Sequence, residues 1–510
     1  MSETREDLAP ASAGTSLPEL SAVELRRLIG AREVSPVELL EACIERIEAL
    51  NPAVNAIAAK GYRRAREEAR AAEAAVLAGD PLGPLHGLPL GIKDLEATEG
   101  LLTTHGSPIH KGNVPAADSA MVALVRRAGG IVTAKTNVPE FGAGANSRNP
   151  VWGATGNPFD PSLNAGGSSG GSAAALATDM LPVCTGSDTG GSLRTPAALC
   201  GIVGFRPSPG LVPMAERGLG WTPISVVGPM GRDVADTRLL FACQVGFDAR
   251  DPLSHDVDVA RLAAARPVDL GTLRVAWTTD FGQCPVDGPI RDLMRENVGR
   301  MRHLFASCDE LDFDFGRADD VFDAIRALNF VAKHKATYDE DPGLLGPNVR
   351  TNYEMGAKMS LADAAWAHAE QTALFRRFQA LFRDVDLILS PTTPVSPFPW
   401  TQLYLEELNG APLRNYYHWL NLCYFITLTT NPAIVLPCGT DTKGLPFGLQ
   451  VVGAFRGDAA LLDAAAALEA AFGSIDGLRR PRPDLSRLRA ARPDLTSIVT
   501  DPPRPELALN

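Results

Sequence analysis

The chain has 510 residues, 45% of them hydrophobic, and a formal net charge of -12. That length allows one large α/β unit or two to three ordinary domains, and the acidic balance argues against a nucleic-acid or anionic-membrane surface, which needs a basic footprint. Eight cysteines lie scattered without a C-x-x-C pair, as in a reduced cytoplasmic protein rather than a disulfide framework or a metal site.

The opening residues, 1–16, are polar and lack the apolar core of a signal peptide, so they are expected to be disordered. No run of about 18 uninterrupted apolar residues occurs anywhere, and no membrane span is expected. Ser35-Pro36-Val37-Glu38 supplies an N-cap, a proline at the first helical position and a capping-box glutamate, predicting a helix to about Leu50. A second helix, rich in Ala, Arg and Glu, fills 61–78 and completes an N-terminal helical region over 17–80. Pro84 to Lys93 is an apolar segment between Gly and Pro punctuation. Asp118 is expected to cap a helix that stops near Gly129-Gly130, and IVTAKTN reads as a buried strand.

Two Gly/Ser runs then flank one apolar segment, in NAGGSSGGSAAALATDMLPVCTGSDTGGS, 164–192. Such tracts are commonly flexible linkers, but Ser172 to Thr178 is alanine-rich and helix-forming. The first run therefore lies at a helix N-terminus, where free backbone N–H groups point outward. In the second, SDTGGS, a glycine pair before Ser192 lets consecutive N–H groups turn toward one point, the construction of an oxyanion hole. A serine nucleophile needs a base, and no histidine falls in these loops; His86 comes nearest. Lys93 stands in the apolar segment with Gly91, Ile92 and Leu95. It reads either as a base made neutral by desolvation or as a surface residue paired with Asp94.

Residues 245–380 carry charged helical patterns and less glycine, and read as a peripheral helical region. NYYHWLNLCYF, 415–425, reads equally as a pocket wall or a core helix. NPAIVLPCG and GLPFGLQVVG are strands, followed by a helix from Asp458 to Phe472 and a tail over 481–510. Cys184, Cys200 and Cys438 lie in apolar surroundings and read as small core residues. The α-then-β alternation, with strands at both ends, predicts an α/β fold: a large mixed β-sheet core covered by helices, assembled from 81–480 as one domain.

GIKD, GGSSGGSAAA and GSDTGGSLRTPAALCGIVGFRPS, with GPMGRDVADT, SPTTP and GLPFGLQVVG further on, resemble the amidase signature family of serine hydrolases. The resemblance covers roughly 80–470 and is weakest in the middle. It implies the amidase signature fold and a catalytic triad of Ser192 as nucleophile, Ser168 as bridging serine after a cis peptide, and Lys93 as base. It implies supporting roles for Ser169 and for Asp188 and Arg194, which would orient the loop; read without it, the last two make a surface ion pair. The oxyanion would lie among the N–H groups of Thr189, Gly190, Gly191 and Ser192. No cofactor, metal, nucleic acid or membrane is implied, and a homodimer is left open.

The expected activity is hydrolysis of small uncharged amides, aryl or alkyl amides or anilides, through an acyl-enzyme on Ser192, with carbamates (urethanase-type) and esters as companions. The alternative is the glutaminase (A) subunit of a glutamyl-tRNA amidotransferase complex. Such subunits hold glutamine with an arginine and an aspartate in the C-terminal half. Here Thr351 and Asn352 stand where a basic pair would be expected, and LNLCYFITLTTNP has no acid.

Overall fold

The computed structural model describes residues 16–509. The stretch expected to be disordered, 1–16, thus lies outside the described residues except for Ser16. Eleven strands form one sheet: β1 (Ile57–Lys60), β2 (Pro89–Lys93), β3 (Ile131–Thr136), β4 (Val183–Asp188), β5 (Val203–Arg206), β6 (Val226–Gly231), β7 (Arg274–Trp277), β8 (Ser307–Glu310), β9 (Leu387–Pro391), β10 (Ala433–Thr440) and β11 (Pro446–Val452). Their order across the sheet is β1-β3-β2-β4-β6-β5-β10-β11-β9-β7-β8. Pairing is parallel from β3 through β2 to β4, antiparallel through the middle to β9, and parallel again from β9 through β7 to β8. Both ends of the chain meet in this sheet, since β4–β6 and β10–β11 are joined edge to edge through β5.

Sequence signals and observed elements agree where local chemistry is strong. Ser35 caps Pro36–Val54 in a complete capping box, and the helix runs past the predicted Leu50 through Pro52. IVTAKT is a strand buried at all its positions, and the predicted terminal helix is Asp458–Phe472. Helix Ala120–Arg127, however, is capped by Ser119. Asp118 instead accepts the Glu99 amide and pairs with Arg126.

Two regional expectations change. The segment 17–80 is not helical throughout, because Ile57–Lys60 forms the edge strand beside β3. Residues 245–380 are helical for the most part, but β7 and β8 extend the main sheet, and the long helix Ala318–Glu340 packs beside the loop that carries Ser192. The tail folds back on the body: Leu495 accepts the Ala154 amide at 2.8 Å and Leu509 bridges to Lys60. No helix among the described residues is long and apolar enough to cross a membrane.

One continuous apolar core reaches from Ala22 to Leu488. At its centre sits the short helix Gly170–Ala177, every residue of which is buried. Only small side chains fit there. A Cβ on Gly171 would lie 2.6 Å from the Ala56 carbonyl oxygen and closer still to the Asn137 amide, both rigid backbone atoms. Gly171→Ala must therefore displace the helix from β3, and an overpacking loss of about 3 kcal/mol is expected. A fall in the urea midpoint at unchanged m-value checks it; an unchanged midpoint would show that the helix can shift freely.

Candidate active site

Lys93 ends β2, next to β4, and the parallel pairing of Leu90 with Val183 and Gly91 with Cys184 brings it beside the strand that leads to Ser192. Its side chain is fully buried. Nζ lies 2.7 Å from Ser168 Oγ, 2.8 Å from Ser169 Oγ and 2.9 Å from Ser187 Oγ. Burial pushes the amine down to about 7, and the opposing pull of Glu96 and Asp188 does not restore it. The alternative pairing with Asp94 does not form, because that carboxylate faces the other way and accepts from the Thr104 amide and hydroxyl.

Three hydroxyls suit the amine in both protonation states. An ammonium donates to all three. A neutral amine donates to two and accepts from the third. A proton can therefore enter or leave Nζ without displacing a heavy atom. Ser187 was not singled out from the sequence. Its signal was its place five residues before Ser192 on the same strand-to-loop segment.

Ser168 and Ser169 precede helix Gly170–Ala177, and the peptide Gly167-Ser168 is cis. Ser172, one turn in, faces the sheet and donates to the Thr185 carbonyl at 2.8 Å. Ser192 is partly exposed, and its carbonyl accepts the Ser169 amide at 3.3 Å, which ties the two serine loops together. No hydrogen bond links Ser192 Oγ to Ser168 Oγ among the described residues.

Asp188 ends β4 and holds the Ser192 loop from beneath. Its carboxylate accepts Arg194 Nε at 3.0 Å and Nη2 at 2.9 Å, Arg206 Nη1 at 3.0 Å, and the amides of Gly191 at 2.9 Å and Leu193 at 3.2 Å. All three charged side chains are inaccessible, so the surface-pair alternative fails. Burial opposes the charge on Asp188, but Arg194 and Arg206 overcome it and hold the carboxyl well below the usual carboxylate range. The Gly191 amide is thus engaged by Asp188, which differs from the four-amide expectation. The amides of Thr189, Gly190 and Ser192 make no such bond to Asp188. Gly191 takes a φ of 126°, a backbone that glycine accepts readily, and a Cβ there would strike Cys423.

The loop faces a cavity of about 560 Å³. Ser187 and Thr189 line it together with the apolar Leu95, Phe141, Met214 and Phe330 and the charged Glu96, Glu216, Arg217, Arg326 and Lys333. The aromatics of 415–425 do not line it. They are buried one layer back, where Tyr424 stacks on Phe322 with ring centroids 4.2 Å apart and Phe322 backs Gly190. That resolves the even choice left by the sequence in favour of core. Cys184, Cys200 and Cys438 are likewise inaccessible. His86 is remote in function, its Nε2 sitting 3.0 Å from the Ala72 carbonyl.

A mixed sheet that gathers a buried lysine, three serine hydroxyls and a glycine-rich serine loop beside one cavity, which Ser187 and Thr189 line, defines a hydrolase-like framework. The model of the Amidase family matches residues 38–462, and the chain belongs to this family, the amidase signature hydrolases, as an amide-hydrolysing enzyme. An acylamidase of Rhodococcus erythropolis is 33% identical over 88% of this chain and 95% of its own length. The glutamyl-tRNA(Gln) amidotransferase (A) subunit of Acidothermus cellulolyticus is 35% identical over 89% of this chain and 94% of its own. The structure of a bacterial aryl acylamidase of the amidase signature enzymes superposes with a TM-score of 0.84 at 29% identity, covering 93% of this chain and 99% of that one.

Asp188→Asn leaves Arg194 and Arg206 buried without a carboxylate. A loss of about 3–5 kcal/mol of stability is expected, read as a lowered denaturation midpoint. A variant as stable as the parent would mean that neither arginine depends on Asp188.

Proposed function

We propose that this chain is a free-standing amidohydrolase that cleaves small uncharged amides, aryl or alkyl amides and anilides, through an acyl-enzyme on Ser192. The observation that carries this reading is the fully buried Lys93 amine, held near neutrality and 2.7 Å from Ser168. Neutral Lys93 takes the Ser168 proton as Ser168 takes that of Ser192, whose Oγ adds to the amide carbonyl. The N–H groups of Thr189, Gly190 and Ser192 face the new oxyanion, each well-placed donor worth on the order of 3 kcal/mol. The proton returns through Ser168 to the departing amine, the C–N bond breaks, and water then releases the acid by the same relay. Esters and carbamates offer the same carbonyl to the same serine; the acylamidase likeness speaks for amides.

The second reading, a glutaminase subunit, draws on the 35% identity to the Acidothermus protein. Against it, Thr351 is exposed, and Asn352 is buried with its amide donating to Tyr416 Oη and the Asn348 carbonyl. Neither can pair with a carboxylate as a basic residue would. Glutamine carries two charges at its α-carbon, and these two positions supply no charged partner for them.

Ser192→Ala is expected to abolish turnover and fluorophosphonate labelling without lowering the melting temperature; labelling that persists in this variant would refute the nucleophile. Because only neutral Lys93 accepts a proton, kcat/KM should rise about tenfold per pH unit below about 7 and level off above it. A flat profile from pH 5 to 9 would remove Lys93 as base. Purified protein alone should hydrolyse acetanilides faster than glutamine, and the reverse order would favour the subunit reading.

A further inference from the structure

The long helix Ala318–Glu340 sends a stripe of side chains from the oxyanion loop along the cavity. Phe322 stands behind Gly190, where a Cβ would lie 3.0 Å from the phenyl ring. Arg326 follows one turn on, about 6 Å along the axis, and Asn329, Phe330, Lys333 and His334 continue the wall.

Arg326 differs from the other cations at this cavity. Arg217 is paired with Asp251, and Lys333, which also lacks a salt bridge among the described residues, is exposed and lies in the field of Glu96. Arg326 is only 7% exposed and forms no salt bridge among the described residues. The acids that precede it on its own helix are engaged elsewhere: Asp319 with Tyr424, Asp320 with Arg317 and Arg414, Asp323 with Arg414, Tyr417 and His418. Among the described residues its single hydrogen bond to a protein group runs from Nη2 to Tyr416 Oη at 2.6 Å, and its Nε is buried with no partner there. A buried cation with unused donors is costly unless something completes it.

The shape of what completes it follows from the guanidinium. Aromatic rings crowd it: the centroids of Phe330 and Tyr417 each lie 4.9 Å from Cζ, and that of Tyr416 lies 5.7 Å away. What a guanidinium can still offer is N–H donors, and these fit an oxygen acceptor. We propose that Arg326 is a specificity-determining residue that donates to an oxygen acceptor on the non-reacting part of the amide substrate, a carbonyl or carboxylate about one helical turn from the scissile carbonyl. The inference rests on the proposed hydrolysis at Ser192 and deepens it, because it tells one amide from another of equal size.

The test compares kcat/KM for matched substrates. Acetanilide is set against its para-acetyl and para-carboxy derivatives, and butyranilide against the monoanilide of succinic acid, so that the acceptor is offered on either side of the bond. The wild-type enzyme is expected to prefer the acceptor-bearing member in at least one pair, and Arg326→Met, which keeps an unbranched side chain among the aromatics, should reduce that preference about tenfold to a hundredfold. The para-carboxy and para-acetyl arms tell whether charge adds to the oxygen. Should Arg326→Met fail to fold by thermal unfolding, Arg326→Lys keeps the charge without the fork and should show a smaller reduction. No preference in the wild type, or both members of every pair falling together, would overturn the inference while leaving the hydrolase reading in place. Absence of turnover on every anilide by the wild type would overturn both.

Discussion

Removing one lysine amine from water is the constraint on which the rest of this site depends. Lys93 sits on the third strand from one edge of an eleven-stranded sheet with no accessible surface, and burial, against the pull of Glu96 and Asp188, brings its amine down to about 7. An acid in direct contact would undo this by favouring the charged form. The three closest side-chain groups are instead neutral hydroxyls; Asp94 is held by Thr104 and Asp188 by two arginines, and Glu96 acts on the amine through its field without a direct contact. The small residues of Gly170–Ala177 follow from the same need, since only a helix without bulk can come close enough to the sheet to bring Ser168 and Ser169 to the amine.

Asp188 serves a second need, that of a loop held still. It binds the loop through two amides while its charge is balanced by Arg194 and Arg206, and Arg194 carries the connection on to Gln450 at 2.7 Å and the Cys423 carbonyl at 2.8 Å. The Ser192 loop is thus anchored to β11 and to helix Asn421–Thr429, elements more than two hundred residues away in the chain. Two guanidinium groups against one carboxylate leave net positive charge beneath the loop, the sign an oxyanion calls for. Rigidity and favourable potential come from the same three side chains.

The motifs were legible in sequence because each has a local cause. The capping box at Ser35, the buried strand IVTAKT and the glycine-serine loops are set by backbone propensity and by which side chains can be absent. Asp118 misled because Asp and Ser are both good caps, and the choice of Ser119 is made by the Asp118–Arg126 pair, a tertiary contact. The region 245–380 misled for a related reason: its charged helices present polar faces outward, and nothing in their pattern tells that two short strands join the sheet or that one helix closes the cavity.

By itself the sequence determined the chemistry: a serine in a glycine nest, a second pair of serines at a helix start, and a lysine among apolar residues. These are statements about which atoms are present and how the local backbone can turn. Only the tertiary structure decided how those atoms are used. It brought Ser187 to the lysine, gave the Gly191 amide to Asp188, placed the aromatics of 415–425 behind the loop rather than in the cavity, and left Arg326 at the cavity wall without an acid. Each of these depends on long-range packing, where burial and the number of available partners set the energy of a polar group, and neither quantity is written in the neighbouring residues.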